Sequence, residues 1–157
     1  AFFILLLLIL GNLSIMLRGN PKEITLFAIQ KDMLLSKQLR AIDCTYMTAE
    51  GKTFSINTRT CPLWINTVWS HLYNWYGLEK YGYLPEWRGR DQVGQLGNNL
   101  PEPSDETTLH FFIKEPPQGI PEINQQSELA AEDARSDLIE TKSFGELEVQ
   151  KRLIKER

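Results

Sequence analysis

Two histidines are the side chains of this sequence best suited to acid–base or metal chemistry. His71 lies in an uncharged aromatic stretch, and His110 lies in a short run of alternating polar and apolar residues. Either role needs partners, yet neither histidine has another histidine four residues away or belongs to an H-E-x-x-H motif. We therefore expect both to be hydrogen-bonded structural residues, and we expect no metal site.

Arg88 and Arg90 form a basic pair directly after Trp87. Two guanidinium groups beside an indole ring could hold a phosphate, a carboxylate or a lipid head group. Solvated loop charges are the simpler interpretation, and it is the one we favour. The sequence also lacks a G-x-S-x-G nucleophile motif and a G-x-x-x-x-G-K-S/T phosphate loop. It therefore predicts no catalytic residue and no cofactor.

Cys44 and Cys61 are the only cysteines, and sixteen residues separate them. This spacing fits neither a C-x-x-C redox site nor a four-ligand zinc site. One disulfide between them would pin the corner before Pro62 if this part of the chain faces an oxidising compartment. Two reduced cysteines that behave as small apolar residues are the alternative, and the sequence leaves both open.

The segment 1–17 carries no charge, and only Asn12 and Ser14 in it are clearly polar. A helix that crosses a bilayer needs about 20 apolar residues, with a lower limit near 17. We therefore expect a transmembrane anchor, preceded by further residues because the sequence lacks an initiator Met. A cleaved signal peptide is the alternative, but no A-x-A-like site follows the segment.

The placement of the remaining chain depends on this anchor. Arg18, Lys22 and Arg40 follow it, and the positive-inside rule would keep such residues in the cytoplasm. An uncleaved anchor at the start of a chain more often leaves the bulk that follows it outside. We expect a single-pass membrane protein whose head lies outside the cytoplasm, in a periplasm, a lumen or an intermembrane space.

The charge distribution argues against nucleic acid as a partner. Residues 1–100 carry ten Lys and Arg against seven Asp and Glu, whereas residues 101–157 carry seven against thirteen. Binding to nucleic acid requires a clustered basic surface, and an acidic end works against it. We therefore expect no nucleic-acid binding.

The composition divides the chain into an anchor at 1–17, a stalk at 18–40, an α+β head at 41–118 and an acidic tail at 119–157. In the head, alternating side chains predict a β-hairpin over residues 40–60 with its turn at 49–51. Pro62 and Gly77 bound a predicted aromatic-rich helix, and residues 107–113 form a predicted strand. The expected fold class is α+β: one transmembrane helix, a small head and an extended, partly helical tail.

Aromatic residues concentrate in the predicted head. All four Trp and all five Tyr lie between residues 46 and 87. Such side chains join an apolar body to a polar tip, so they suit a core, a partner contact or the surface of a bilayer. We favour the core, with partner contact as the next alternative. The candidates for partner contact in this region are Trp64, Trp69, Trp75, Tyr76, Trp87, Arg88 and Arg90.

The predicted tail has few large apolar side chains and an excess of carboxylates. It cannot bury enough apolar surface to offset the entropy of ordering if it folds alone. We expect it to run extended, or in isolated helices, over another subunit. The side chains that would anchor it, exposed in the chain alone, are Phe144, Leu147, Leu153 and Ile154.

Together these features predict a non-catalytic accessory or scaffold subunit of a larger integral membrane protein complex. Its anchor, aromatic segment and tail would contact the lipid bilayer and other integral membrane subunits. The alternative is a membrane-tethered enzyme or ligand-binding head that uses His71, His110, Arg88 and Arg90. That alternative requires the four side chains to converge in one pocket.

Overall fold

The computed structural model describes residues 2–18, 30, 32–90 and 99–155. The described residues form one mixed sheet with helices on both of its faces, together with a separate N-terminal helix. In chain order the elements are α1 Phe2–Arg18, α2 Leu35–Ala49, β1 Ser55–Arg59, α3 Thr67–Leu72, a π-helical turn Tyr73–Gly77, α4 Leu78–Tyr81, β2 Glu86–Trp87, β3 Leu109–Lys114, α5 Glu122–Arg135, β4 Ser136–Phe144 and β5 Leu147–Ile154.

The strands of the sheet follow the order β2-β1-β3-β5-β4. Strand β1 runs parallel to both of its neighbours, whereas β5 runs antiparallel to β3 and β4. The register places Ser55 opposite His110, and His110 opposite Arg152. Because side chains alternate between the two faces of a sheet, these three residues share one face, while Ile56 and Phe111 share the other.

The face that carries Ile56 and Phe111 forms the hydrophobic core. On the sheet side, Ile56, Phe111 and Val149 are at most 2% exposed. Ile42 of α2 and Trp69 of α3 belong to the same buried cluster and are fully buried. Each fully buried side chain of this size contributes about 1.5–3 kcal/mol, so this face supplies most of the apolar stabilisation of the fold.

Tyr46 of α2 ties that helix to the aromatic residues that follow α3. Its ring stacks on Tyr81 with centroids 4.2 Å apart, and its hydroxyl donates to the Tyr83 carbonyl at 2.7 Å. Gly77 permits this contact, since a Cβ there would lie 2.7 Å from the Tyr46 hydroxyl oxygen. Asp43 adds a polar link, because it accepts a hydrogen bond from the Tyr81 hydroxyl at 2.8 Å.

Helix α1 is too short to cross a bilayer. It contains 17 residues, and the last of them is Arg18. At a rise of 1.5 Å per residue it spans about 26 Å, whereas the hydrocarbon core is about 30 Å thick. Among the described residues, no helix combines the length and the apolar character that such a crossing requires. The predicted transmembrane anchor, and the single-pass placement with the head outside the cytoplasm, are therefore wrong.

The predicted hairpin over residues 40–60 is also wrong, since helix α2 occupies its first half. The buried side chains there recur at helical spacing: Ala41, Ile42, Thr45, Tyr46 and Ala49. The residues expected to form the hairpin turn instead end the helix, because Glu50 and Gly51 adopt the left-handed conformation with φ values of 52° and 81°. Only the second predicted strand exists, as β1.

Two other predicted elements are present. The strand expected at residues 107–113 is confirmed as β3, and the aromatic-rich helix exists but is displaced to residues 67–81. The displacement follows from the segment 61–66, which forms an irregular corner rather than the first turn of the helix. Of the predicted stalk, residues 19–29 and 31 lie outside the described residues, and α2 begins at Leu35.

The predicted extended tail is wrong because β5 lies between β3 and β4 in the sheet. Leu147 is fully buried and Phe144 is 8% exposed, whereas Leu153 is 43% exposed and Ile154 is half-buried. A strand needs apolar side chains only at alternate positions to join a core, and Leu147 and Val149 supply them. The low overall hydrophobicity of this segment therefore does not keep it off the sheet.

Candidate functional site

The second face of the sheet is polar, and α5 covers it. Its buried residues include Ser55, Asn57, His110, Phe112, Gln150 and Arg152. Buried polar groups need hydrogen-bond partners. Helix α5 provides several of them: Glu132, which is 0% exposed, bonds to Asn57 and His110, and Asp133 accepts a hydrogen bond from Arg152. Arg135 in turn donates to Glu132. We define the polar network as Ser55, Asn57, His110, Glu132 and Arg135.

Glu132 is the centre of the polar network. His110 places its Nε2 3.2 Å from Glu132 Oε2 and its Nδ1 2.8 Å from Ser55 Oγ. The same carboxylate accepts hydrogen bonds from the Asn57 side-chain amide and from the Arg135 guanidinium. A neutral imidazole with its proton on Nε2 satisfies both contacts, since it donates to Glu132 and accepts from Ser55.

The order serine, histidine and carboxylate resembles the arrangement that activates a nucleophilic serine. Here, however, Ser55, His110 and Glu132 are all fully buried, so no substrate can reach the hydroxyl. The geometry therefore makes these side chains a structural link between α5, β1 and β3.

Burial and hydrogen bonding set the charges in the polar network. Burial lowers the pKa of His110, and the hydrogen bond to Glu132 only partly opposes that effect. Burial alone would raise the pKa of Glu132, but hydrogen bonds from His110 and Arg135 outweigh it and lower this pKa to about 2. At neutral pH the network thus contains a neutral imidazole and one ionised carboxylate, whose charge is compensated by Arg135.

A cleft of about 280 Å³ opens beside the polar network. We call it the arginine cleft, and its lining residues are Asn57, Arg88, Gly89, Arg90, Glu128, Ala131, Glu132 and Arg135. We call the Asn57 side chain, together with the Trp87 ring, the floor of the cleft. The backbone at Gly89 lies directly against this floor, since a Cβ there would overlap the Trp87 ring and the Asn57 side-chain oxygen. The segment after β2 and the side of α5 that carries Glu128, Glu132 and Arg135 therefore form the two walls of the cleft.

Trp64 lies at the rim of the arginine cleft in an unusual backbone conformation. Its φ is 63°, in the left-handed region that bulky residues rarely adopt. Its indole Nε1 donates to Glu128 Oε1 at 2.8 Å, and the Arg90 guanidinium lies 4.2 Å from the ring centroid. The ring remains 39% exposed. Positive φ values of this kind are concentrated at functional sites, where neighbouring contacts hold them.

The structure brings together some of the predicted site residues. Arg88 and Arg90 share the arginine cleft, and His110 lies behind it in the polar network. His71 is separate, because it stacks on exposed Trp75 with ring centroids 6.2 Å apart. The ligand-binding alternative required four side chains to converge in one pocket. At most three of them, Arg88, Arg90 and His110, lie together, and His71 does not join them.

The aromatic candidates for partner contact divide by exposure. Trp69 is fully buried and Trp87 is 6% exposed, so both belong to the core. Tyr76 is half-buried and donates to Asp43 at 2.9 Å. Trp64 and Trp75 are 39% and 48% exposed and remain accessible in the chain alone.

Sequence reasoning missed the α5 side of the site. Glu128, Glu132 and Arg135 are the residues concerned, and their spacing of four and three places them on one face of a helix. That spacing is a signal that could have found them. Asn57 carried no comparable signal, because only the register of β1 against β3 brings it to the same place.

Both cysteines are free thiols in this structure. Cys44 is buried in α2 with its Sγ 4.0 Å from Thr48 Oγ1, whereas Cys61 donates to the Gln118 carbonyl at 3.1 Å. Burial raises the pKa of both thiols. Of the two alternatives that the sequence left open, the structure therefore shows the reduced pair rather than the disulfide.

Comparison with other proteins adds no homologue to this picture. No protein-family model, no curated protein and no solved structure matches the chain. The parts of the chain that the structure describes hold no group of three His, Cys, Asp or Glu side chains arranged to bind a metal ion. The exposure of α1 and the geometry of the arginine cleft are therefore the features that bear on function.

Proposed function

We propose that this chain is a non-catalytic accessory or scaffold subunit that joins a larger protein complex through helix α1. The observation that carries the proposal is the exposure of this helix. Every side chain from Phe2 to Leu10 is large and apolar, and each is between 40% and 79% exposed. A helix that is apolar on all sides is normally buried inside a larger structure. A surface beyond the described residues is therefore needed to cover it.

The few polar residues of α1 do not give it a face suited to water. Asn12 turns its side-chain amide back to the Leu8 carbonyl of the same helix, at 2.8 Å. A Cβ at Gly11 would meet nothing within 4 Å, so none of the residues that the structure describes packs there. Covering exposed apolar surface contributes about 25 cal/mol per Å², so docking of this helix has a substantial driving force.

The partner that suits this helix is a protein subunit with an apolar groove. Helices bind such grooves through side chains at positions i, i+4 and i+7. Phe3, Leu7 and Leu10 form a row of that kind, and Leu10 and Phe3 are 51% and 69% exposed. No charged residue interrupts residues 2–17, so apolar contact rather than charge pairing would carry the affinity.

A non-catalytic role is supported by the state of the residues that could do chemistry. The hydroxyl of Ser55 and the ring of His110 are inaccessible. Their hydrogen bonds join secondary-structure elements instead of facing a cavity. The exposed histidine, His71, has an aromatic neighbour but lies outside the arginine cleft.

Size-exclusion chromatography of the full chain expressed in its own cells tests this proposal. We expect the wild-type chain to elute in a complex much larger than 18.1 kDa. A double variant, Leu7→Ser with Leu10→Ser, should elute as a free chain, because two polar side chains of the docking row would enter the apolar groove. The matched control is Ile123→Ser, which changes an exposed apolar side chain on α5 and should leave the complex intact.

Three results would contradict the proposal. The first is a wild-type chain that elutes alone. The second is a double variant that stays in the complex although its circular dichroism shows a folded domain. The third is a purified chain that forms the same large particle without any other protein, since the partner would then be another copy of itself.

A further inference from the structure

We propose that the arginine cleft binds a small phosphorylated ligand, with Arg88 and Arg90 as the side chains that hold its phosphate group. The inference is independent of helix α1, because the cleft lies between the segment after β2 and α5. It rests on the orientation of the two guanidinium groups, on the size of the cleft, and on the finding that no carboxylate among the described residues forms an ion pair with either group.

Arg88 is held in place without being neutralised. Its Nε donates to Ser55 Oγ at 3.4 Å, and one of its terminal nitrogens donates to the Ser104 carbonyl at 3.0 Å. Ser55 is itself fixed by His110. The polar network therefore positions this guanidinium, yet both acceptors are uncharged. The remaining donors of the group stay available to a ligand in the cleft.

Arg90 is held by a different contact. Its guanidinium lies over the Trp64 ring, 4.2 Å from the centroid, and the indole is anchored by Glu128 at 2.8 Å. Stacking fixes the plane of a guanidinium while leaving its N–H edge free to donate. The left-handed backbone of Trp64 is what brings the ring to this position.

The cleft is lined by three arginines, Arg88, Arg90 and Arg135, and by two glutamates, Glu128 and Glu132, so its net positive charge favours an anion. Arg135 on the opposite wall is paired with Glu132. Within the described ranges, by contrast, neither Arg88 nor Arg90 forms an ion pair with a carboxylate. Two oriented, uncompensated guanidinium groups in one cleft match the donor pattern of a phosphate, which has several oxygens to accept hydrogen bonds from both.

The size of the cleft limits the ligand. Sites for drug-sized molecules usually measure about 300–1,000 Å³, so a cleft of about 280 Å³ suits a small molecule. A phosphate with a few further atoms fits that volume, and the exposed part of Trp64 offers an apolar surface beside it. We therefore expect a short phosphate monoester as the ligand class.

Nuclear magnetic resonance of the ¹⁵N-labelled full chain provides the test. The probes are glycerol 3-phosphate, inorganic phosphate, glycerol and acetate. We expect glycerol 3-phosphate and inorganic phosphate to cause saturable shifts of the Arg88 and Arg90 Nε–H signals and of the Trp64 indole N–H signal. Glycerol should cause no shift, and acetate should bind at least fivefold more weakly than glycerol 3-phosphate.

Matched variants separate a built site from general attraction between charges. Arg90→Gln should weaken the binding of glycerol 3-phosphate at least tenfold. Arg40→Gln removes an exposed arginine that stacks on Phe144 far from the cleft lining, and it should change the affinity less than twofold. Arg88→Gln should also weaken binding, but it removes hydrogen bonds to Ser55 and Ser104, whereas Arg90→Gln removes a stacking contact with Trp64 at the rim of the cleft. Arg90 is therefore the cleaner test.

Three outcomes would overturn the proposal. One is the absence of saturable shifts with either phosphate probe. Another is equal weakening by Arg90→Gln and Arg40→Gln, which would indicate attraction to net charge alone. The last is acetate binding as tightly as glycerol 3-phosphate, which would point to a carboxylate site instead.

Discussion

His110 Nε2 lies 3.2 Å from Glu132 Oε2, and both side chains are shielded from solvent. The contact joins β3 to α5, so the polar face of the sheet is held by a specific hydrogen-bonded pair rather than by apolar packing. A buried carboxylate is tolerated only where its charge and its lone pairs have partners. Asn57 and Arg135 complete that set around Glu132.

Replacing Glu132 should destabilise the fold strongly. Glu132→Gln removes the negative charge that compensates Arg135 and offers Asn57 and His110 a poorer acceptor, so we expect a loss of about 3 kcal/mol in the free energy of unfolding. Urea unfolding followed by tryptophan fluorescence measures it. Glu128→Gln on the same helix should cost less than about 1 kcal/mol, because that residue is only partly buried. Equal losses for the two variants would contradict the role assigned to Glu132.

His110 should make stability depend on pH. Its pKa in the folded chain lies below the unfolded value of 6.5 because burial disfavours the charged ring. As the pH falls, the unfolded chain therefore binds a proton on His110 before the folded chain does. The stabilisation that comes from burying a neutral His110 is fully present above pH 6.5 and is lost as the pH falls below that value. We expect the free energy of unfolding to decrease between pH 7.5 and 5.5.

The variant His110→Gln isolates this contribution. Glu132 acts outside that range, since its lowered pKa of about 2 makes its contribution fall only as the pH drops below 4.5. Burial raises the pKa of Glu115, which makes stability fall as the pH rises above 4.5, but this effect is common to both proteins. The decrease between pH 7.5 and 5.5 should therefore be smaller in His110→Gln than in wild type. An identical slope would count against a neutral, buried His110.

Gly89 should tolerate no side chain. In Gly89→Ala the added methyl group would overlap the Trp87 ring and the Asn57 side-chain oxygen, so the backbone must shift at a cost of about 1–3 kcal/mol. The Trp87 indole N–H signal should move with it. Gly11→Ala is the control, because its methyl group meets nothing within 4 Å and should leave that signal unchanged. An unchanged Trp87 signal in Gly89→Ala would show that the cleft floor is looser than described.

The two thiols should be free but slow to react. Burial raises the pKa of both, and Cys44 is more buried than Cys61. We expect iodoacetamide at pH 7 to modify Cys61 faster than Cys44 in the folded chain, and to modify both rapidly in urea without a reductant. Mass spectrometry follows the two reactions. Failure to alkylate either residue in urea would reveal a disulfide.

Part of this fold could be predicted from the sequence, because some local patterns agree with the tertiary structure. The alternating residues of β3 and the aromatic run around Trp69 indicated a strand and a helix correctly. The hydrogen-bonded structural role expected for His110 agrees with its contacts to Ser55 and Glu132. The same role for His71 stays a prediction, since this exposed side chain stacks on Trp75. The strand and the helix depend on neighbours close in sequence, whereas the partners of His110 come from β1 and α5.

The remaining features depend on contacts that local patterns do not reveal. Ile42, Cys44 and Tyr46 occupy alternate positions, as in a strand, but Ile42 and Tyr46 also have the spacing of a helix. The helix is the conformation that forms, and in it Tyr46 packs against Tyr81 of α4. Arg152 is only 1% exposed because Ser136 and Asp133 accept its hydrogen bonds. From sequence alone an arginine such as Arg152 is assigned to the surface, because the partners that allow its burial are not known. This is why the residues of β5 were predicted to form a tail.

The length of α1 was the other source of error. A run of 17 uncharged residues lies at the lower limit for a crossing, and a residue count alone does not fix where the helix ends. In the structure it ends at Arg18, and its length falls below the thickness of the hydrocarbon core. What the sequence did show correctly is an apolar segment, and its exposure is the basis of the proposed docking role.

Site-specific photo-cross-linking tests the docking role of helix α1 most directly. A photoreactive residue at Leu7, which is 56% exposed, should cross-link to one protein of defined mass in the cells that make this chain. The same residue at Ile123, which is 72% exposed on α5, should give no such product. A product in which Leu7 is linked to lipid or to this chain itself, or equal products at both positions, would contradict the account.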